Sequence, residues 1–402
     1  MRMNVPRVLL TDYQNSEISA NLPELFRRAG CEVEIACVSD SWLLKNSYWQ
    51  KWHEIKERNS VSYCKAVLTL TQAEQYDWVV LIDDYAIRVM NESISDPLLF
   101  KKILPLSTNK TREILGSKAG LSRLCQKYGI LTPAFVVYDA AIEPLAQICT
   151  IGFPLLLKVD QSGGGRGVYL ATDQKTFLIA FEKLSVEEKN NLIFQEYIVG
   201  DNVACEILFK NGEVLGYASS RVLKNTRGEF SASRVREYSN MPELETIVSR
   251  IATAFSCNGF SSSRFIRSKK TGQYFLIELD LRLQCWFYLD QFAGVDFSKL
   301  IARYLQPGLE VASAPVVKNE ETITLRYFSR DLKWAIKRGN IFAIMRWCFN
   351  IGGCWRLTPW HDQKLFWAIL IDLAKYFLYF IAPLRPLTRG LKYLYKKIVK
   401  RA

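Results

Sequence analysis

The stretch FPLLLKVDQSGGGRGVYL, residues 153–170, constrains the chain more than any other. An apolar run leads into Lys158, glycines follow at 163, 164, 165 and 167, and an apolar pattern resumes. A lysine closing so apolar a strand is costly unless an anion meets it. A glycine run this dense brings backbone amides close to whatever they face. Strand-like residues flank the glycines on both sides, so the stretch reads as two strands joined by a glycine loop. Two familiar phosphate loops are excluded. A Walker A loop ends on Gly-Lys-Ser/Thr, whereas Gly165 is followed by Arg166, Gly167 and Val168. A dinucleotide fingerprint opens a helix, and this loop opens a strand. Taken alone, the stretch also fits a plain glycine hairpin.

A chain of 402 residues is long enough for two or three domains. With 49% apolar and 23% charged residues it is an ordinary globular composition, which excludes a disordered chain. Ten cysteines lie scattered without a C-x-x-C pair or metal-ligand spacing, and no signal peptide is recognised before them. They read as buried free thiols in a reducing cytoplasm. Only His53 and His361 are present, which excludes a histidine-rich zinc site and argues against a histidine-based triad.

Along the chain, RVLLTDY reads as a strand, SANLPELFRRAG as a helix closed by Gly30, and EVEIACV and YDWVVLIDD as further strands. This alternation predicts a small doubly wound α/β domain up to residue 105. It carries no G-x-G-x-x-G, so nothing there argues for a dinucleotide. Asp83 and Asp84 fall at a strand end, where open sheets bind ligands, or in a solvated turn. SKAGLSRLCQKYGILTPAFVVYD gives a helix stopped at Gly129, a proline turn and a strand. TFLIAFEKL is a helix, NLIFQEYIVG a strand with a turn, and VACEILFKNGEVLGYASSRVL a hairpin through Asn211-Gly212. LETIVSRIATAFSCNGF is an amphipathic helix and TGQYFLIELDLRL a strand. Strict alternation along that strand puts Tyr274, Leu276, Glu278, Asp280 and Arg282 on one face, and Ile277, Leu279 and Leu281 on the other. Two carboxylates two apart offer hard oxygens to magnesium, and an arginine beside them suits a phosphate. A solvated strand face is the plainer alternative, as are snorkelling or strand-edge positions for Lys118 and Lys158.

Five of these pieces fall in one order that resembles the ATP-grasp superfamily, above all its carbamoyl-phosphate-synthase-like and carboxylate–amine ligase branches. SKAGLSRLCQKYGILTPA is similar to its lysine-headed helix and FPLLLKVDQSGGGRGV to its nucleotide lysine and glycine lid. FQEYIVG is similar to its adenine hinge, GQYFLIELDLR to its metal strand, and FAGVDFSKL to the segment that follows. The resemblance implies an α/β chain in three parts. Residues 1–105 would form the small doubly wound domain, 106–312 a two-subdomain ATP-grasp unit with its lid at 160–168, and 313–402 a basic helical segment.

The resemblance also implies ATP and Mg2+ as cofactors. Lys118, Lys158, Gly163, Gly164, Gly165 and Gly167 would meet phosphate, and Gln195, Glu196, Tyr197 and Ile198 the adenine. Asp201, Asn202 or Glu206 would meet the ribose, Glu278 and Asp280 the magnesium, and Arg282, Arg264 and Arg234 the reacting groups. A carboxylate would attack the γ-phosphate to give an acyl phosphate, which an amine or similar nucleophile would then open. The expected partners are thus a small carboxylate and a small amine, with self-association left open.

Three departures stand out. The usual Asn-Pro-Arg after the metal glutamate reads Asp280-Leu281-Arg282 here. The earlier metal ligand falls on Arg264, which cannot ligate magnesium. That leaves one well-held metal, a phosphate-holding arginine, or, as the competing function, a membrane-associated protein that binds nucleotide without turnover. LQCWFYL replaces the expected small residues, so Trp286 would reshape the acceptor pocket. Arg221, Arg234 and Arg236 are candidates for a substrate carboxylate or γ-phosphate, or lie on a solvated hairpin.

The charge is uneven. From Lys318 onward 17 Lys/Arg face 5 Asp/Glu, whereas the preceding residues carry 36 against 35. Five of ten tryptophans also lie in this last part. Residues 364–384 approach bilayer-spanning length but are interrupted by Asp372 and Lys375, and residues 385–402 carry seven basic residues and no acid. An interfacial element on an anionic membrane, a helical cap on the catalytic body and a spanning helix are the competing readings. Nucleic acid is not expected as a partner, since no recognised motif accompanies the basic tail. The location implied is cytoplasmic, at the inner face of a membrane if the interfacial reading holds.

Overall fold

The computed structural model describes residues 5–56, 59–306 and 322–380. Three sheets organise them. The first holds β1 (Arg7–Asp12), β2 (Glu32–Cys37), β3 (Lys51–Glu54) and β4 (Trp78–Leu81), all parallel in the order β3-β2-β1-β4. Strands β1 and β4 are buried almost throughout, as interior parallel strands between covering layers must be. The edge strand β3 reads KWHE, a sequence with no apolar alternation to announce it. The helix Ser60–Ala73, capped by Asn59, likewise went unannounced.

The second sheet holds β5 (Phe135–Val137), β6 (Leu155–Val159), β7 (Val168–Ala171) and β8 (Leu192–Glu196) in the order β5-β8-β6-β7. Strands β6 and β7 are the antiparallel pair on either side of the glycine loop. The third sheet holds β9 (Gly200–Lys210), β10 (Glu213–Asn225), β11 (Ser233–Tyr238), β12 (Gly259–Ser268), β13 (Tyr274–Asp280) and β14 (Ile323–Arg326), ordered β13-β12-β9-β10-β11-β14. Between β9 and β10, Asn211 and Gly212 both take positive φ, 50° and 85°, the pair a tight hairpin of this hand requires. One face of this sheet, through Val203, Ile207, Phe209 and Phe265, packs on the helix Glu243–Phe255 and on the first sheet. All ten cysteines are free and eight of them are buried.

The expected boundary at 312/313 and the basic tail lie outside the described residues. What is described of the C-terminal segment opens with a strand, β14, added to the edge of the third sheet beside β11. Helices Phe328–Lys337, Ile341–Cys348 and Gln363–Phe380 follow. Arg234, expected among the catalytic groups, is instead the clamp for this segment. Its guanidinium pairs with Asp331, lies 3.6 Å over the Trp334 ring, and is almost wholly buried. Asp331 also accepts from the Trp347 indole at 3.1 Å. A charge sequestered this way cannot reach a substrate, so Arg234 is structural.

The helix Gln363–Phe380 buries Leu365, Ile369 and Leu373, one per turn, against Ala20, Trp42, Phe328 and Leu332. Asp362, ahead of it, accepts from Ser47 at 2.8 Å. Residues 364–380 therefore cap the body. Among the described residues no helix is long and apolar enough to cross a membrane.

Removing one partner of a buried ion pair strands the other charge, at a cost of about 3–5 kcal/mol. Asp331→Ala is therefore expected to lower the melting temperature markedly, read by calorimetry, and to open residues 322–380 to hydrogen exchange first. Unchanged exchange there would show that the clamp does not hold the segment.

Candidate functional site

The site is built where the second and third sheets meet the helix Lys118–Tyr128. Ser117 caps that helix, and Asp160, just after β6, brings a carboxylate to its N-terminus. The Asp160 carboxylate accepts from the Lys118 and Ala119 amides and from the Ser117 hydroxyl at 2.8 Å. In return the Lys118 ammonium donates to Asp160 O and Ser162 O, each at 2.6 Å, and to Val159 O at 3.2 Å. An anion at a helix N-terminus and a cation on inward-turned carbonyls are each favourable, and here they cross-link one loop to one helix. Sequence reading found Lys118 but not its partner Asp160, although the aspartate stands directly before the glycine loop.

The glycines have separate reasons. Gly164, Gly165 and Gly167 take φ of 65°, 76° and 65°. A Cβ on Gly165 would lie 2.2 Å from Phe230 O, so only glycine lets the loop settle against the turn between β10 and β11. On its other flank the loop is held by Arg88, which donates to Gln161 Oε1 at 2.8 Å.

Lys158 is buried, and its Nζ donates to Gln195 Oε1 at 2.5 Å. Burial pulls its pKa down to about 8; the Lys118 charge adds to that fall and Glu278 opposes it. Burial also lowers Lys118, with Glu278, Asp160 and Asp280 opposing. Both ammoniums thus lie within electrostatic reach of Glu278. Of the expected adenine residues, Gln195 is buried and committed to Lys158, while Glu196, Tyr197 and Ile198 are half-buried. Tyr197 donates to Glu229 Oε1 at 2.8 Å.

The strict alternation expected of β13 is interrupted. Arg264 faces Glu278, but the next residue, Phe265, faces Leu276, so Ile277 is an extra residue in a β-bulge. The bulge turns Tyr274 and Leu276 into the core with Leu279 and Leu281, and leaves Glu278 and Asp280 together on the opposite face. Burial pushes the Asp280 carboxyl well above the usual range; Glu278 and Asp84 push the same way, with Arg282 and Arg264 opposing. Gln284 donates to Asp280 at 2.9 Å, and Arg282 pairs with Asp84 at 2.5 Å. Asp83 caps the helix Asp84–Ser93 through the Ala86 amide. The two acids flagged at the end of β4 therefore divide into a cap and a tether.

Two adjacent carboxylates, one driven towards its protonated form by burial and by the other, suit a divalent cation that relieves the repulsion. Among the described residues no group of three His, Cys, Asp or Glu side chains is disposed to hold a metal. Glu278 and Asp280 would give two oxygens, leaving the remaining positions to phosphate and water.

The arginines separate sharply. Arg264, half-buried, has a buried Nη1 without a partner, and burial with Arg236 beside it brings its pKa down to about 10. Arg236 is fully buried, paired with Glu206 at 2.7 Å and lying 4.0 Å from the Trp286 ring centre. Glu206 is fully buried and also accepts from Ser262 at 2.8 Å, so it presents no edge to a ribose. Nearer the surface on β9, Asp201 is half-buried and Asn202 Oδ1 has no partner. Arg221 pairs with Glu237 on the hairpin.

A buried lysine with a lowered pKa weakens the fold wherever it must stay protonated. The unfolded chain holds this proton to about pH 10.5 and the native one releases it near 8. The penalty is thus full below pH 8 and fades as pH rises towards 10.5. Without nucleotide, Lys158→Met is expected to melt at higher temperature than the parent near pH 7, with a gap that narrows towards pH 10. A gap that stays constant would show that burial does not govern this ionisation.

No protein-family model matches the chain. The phosphoribosylamine–glycine ligase of Lactococcus lactis is 26% identical over 102 residues, 25% of this chain and 25% of that protein, so the match spans only a quarter of the relative's length. Among solved structures, N5-carboxyaminoimidazole synthetase from Staphylococcus aureus, complexed with ADP, aligns with a TM-score of 0.63 at 14% identity. That alignment covers 84% of this chain and 85% of the other. The L-amino acid ligase from Bacillus licheniformis aligns with a TM-score of 0.55 at 17% identity, covering 77% of each chain. By the arrangement of its sheets, its glycine loop and these likenesses, the chain has the ATP-grasp fold.

Proposed function

We propose that the protein is an ATP-dependent ligase that activates a small carboxylate as an acyl phosphate and passes it to an amine. The observation that carries this reading is the gathering of Lys118, Lys158 and Glu278 around one glycine loop, with Asp280 beside them. Two desolvated ammoniums on one side and two crowded carboxylates on the other need an occupant rich in negative oxygen that also brings a cation. A nucleoside triphosphate with magnesium satisfies both requirements. The named relatives, a glycine ligase and an amino acid ligase, support the reaction class. The free thiols support a reducing cytoplasm as its compartment.

In this reading the adenine lies along Glu196, Tyr197 and Ile198, and the ribose reaches Asp201 or Asn202. Lys158 and Lys118 draw on the phosphates, for which Lys118 exchanges its loop carbonyls. Glu278 and Asp280 would hold magnesium, whose charge neutralises the phosphate oxygens. Arg282, steadied by Asp84, faces the group in transfer, and Arg264 adds a second positive charge where a carboxylate ligand is usual. A substrate carboxylate oxygen bonds to the γ-phosphorus as ADP leaves. The amine nitrogen then attacks the acyl carbon, phosphate leaves and a proton is released. The glycine loop keeps water from the acyl phosphate meanwhile.

Screening pools of carboxylates and amines for ADP release tests the reaction. Release is expected only when both partners are present, with a loss of at least a hundredfold in Glu278→Ala, since one electrostatic group commonly accounts for roughly that factor. ATP affinity should fall in both Lys118→Ala and Lys158→Ala. Undiminished ATP binding in both variants would overturn the nucleotide placement. ATP binding without release under any pair would leave the non-turnover protein as the better description.

A further inference from the structure

The helix Ile341–Cys348 buries Ala343 and Trp347 and turns its other side outward. On that side Ile341 is 66% exposed, Phe342 85%, Met345 42%, and Phe349, just past the helix end, 69%. Their spacing places all four on one continuous face. An isolated exposed phenylalanine needs no explanation, but four large apolar side chains on one face do. The patch runs on into an aromatic ridge. Ring centres lie 5.7 Å apart from Trp355 to Trp360, 4.5 Å from Trp360 to Phe366 and 5.8 Å from Phe366 to Trp367. The Trp355 and Trp360 indole N–H groups are satisfied by backbone carbonyls, Trp347 O and Trp355 O, so these half-exposed rings present mainly apolar surface.

The exposed side-chain charge of the described segment, residues 322–380, has one sign. Lys337 and Arg338 stand exposed immediately before the helix, Arg356 is exposed beside Trp355, and Lys364 and Lys375 are exposed on the last helix. None of these five has an ion pair among the described residues. The acids among the described residues 322–380 are all spent internally: Asp331 on Arg234, Asp362 on Ser47, and Asp372 on Lys333. Residues 381–402, which continue from this segment, add seven basic residues and no acid.

We infer that this face docks on an anionic lipid surface, with Ile341, Phe342, Met345 and Phe349 entering the headgroup boundary and the cations around them meeting lipid phosphate. Apolar and aromatic side chains ringed by lysine and arginine are the pattern that such a surface selects. A second copy of the chain is the poorer occupant, because a two-fold interface would set this basic rim against itself. The chain's own basic tail is poorer for the same electrostatic reason. Docking would bring the catalytic body to the membrane through the Arg234–Asp331 clamp, independently of which substrates it joins.

Flotation of the full chain with phosphatidylcholine vesicles, and with vesicles that also contain phosphatidylserine, tests this. Binding is expected to the anionic vesicles alone and to weaken as salt is added. Phe342→Ser combined with Phe349→Ser changes only exposed side chains, so the melting temperature should hold while the bound fraction falls by roughly tenfold or more. Absence of flotation with anionic vesicles at low salt would overturn the inference. Equal flotation of the serine variant would assign binding to the tail instead. A parent dimer that the serine variant converts to monomer, seen by sedimentation velocity without lipid, would make the face a protein interface.

Discussion

The exchange between Lys118 and Asp160 is the interaction on which the rest of the cleft depends. A sequestered ammonium must find oxygen, and this one finds three carbonyls, one at the end of β6 and two in the loop that follows. The carboxylate of the same loop in turn answers the unpaired amides at the start of the Lys118 helix. The glycine loop is thus fixed at its root, and at its tip Gly165 rests against Phe230 O.

The third sheet solves a different problem, carrying charge on one face and core on the other. The bulge at Ile277 lets one strand feed both: Tyr274 and Leu276 enter the core before it, and Leu279 does so after it, while Glu278 and Asp280 stay together on the polar face. Deep on that face Glu206 and Arg236 neutralise each other. Arg264 keeps a buried nitrogen without a partner. The first sheet joins through Asp84, which binds Arg282 and so fixes the end of β13 relative to β4.

The C-terminal segment follows the same logic of spent and unspent charge. Its described acids, Asp331, Asp362 and Asp372, are used inside the fold, holding the segment down, and its described surface is left to cations and apolar side chains.

The sequence by itself determined the elements whose signals are local. The glycine loop between two strands, the Gly129 stop, the Asn211-Gly212 hairpin and the apolar stripe of Glu243–Phe255 depend on backbone freedom or periodicity within a few residues. Lys158, Glu278 and Asp280 were legible for a related reason: a charge in an apolar setting, or two carboxylates two apart, is conspicuous before folding, whereas Lys118 was legible only through the family resemblance. Tertiary structure alone decided which arginine meets which acid. Arg234 read the same as Arg264 in the sequence, yet Asp331, nearly a hundred positions away, claims one and leaves the other facing Glu278. Glu206 was likewise removed from the ribose by Arg236. The bulge at Ile277 escaped because it is a property of pairing with β12, not of β13 itself. Charge partnership is settled by distances across strands and between segments, and no local pattern encodes those.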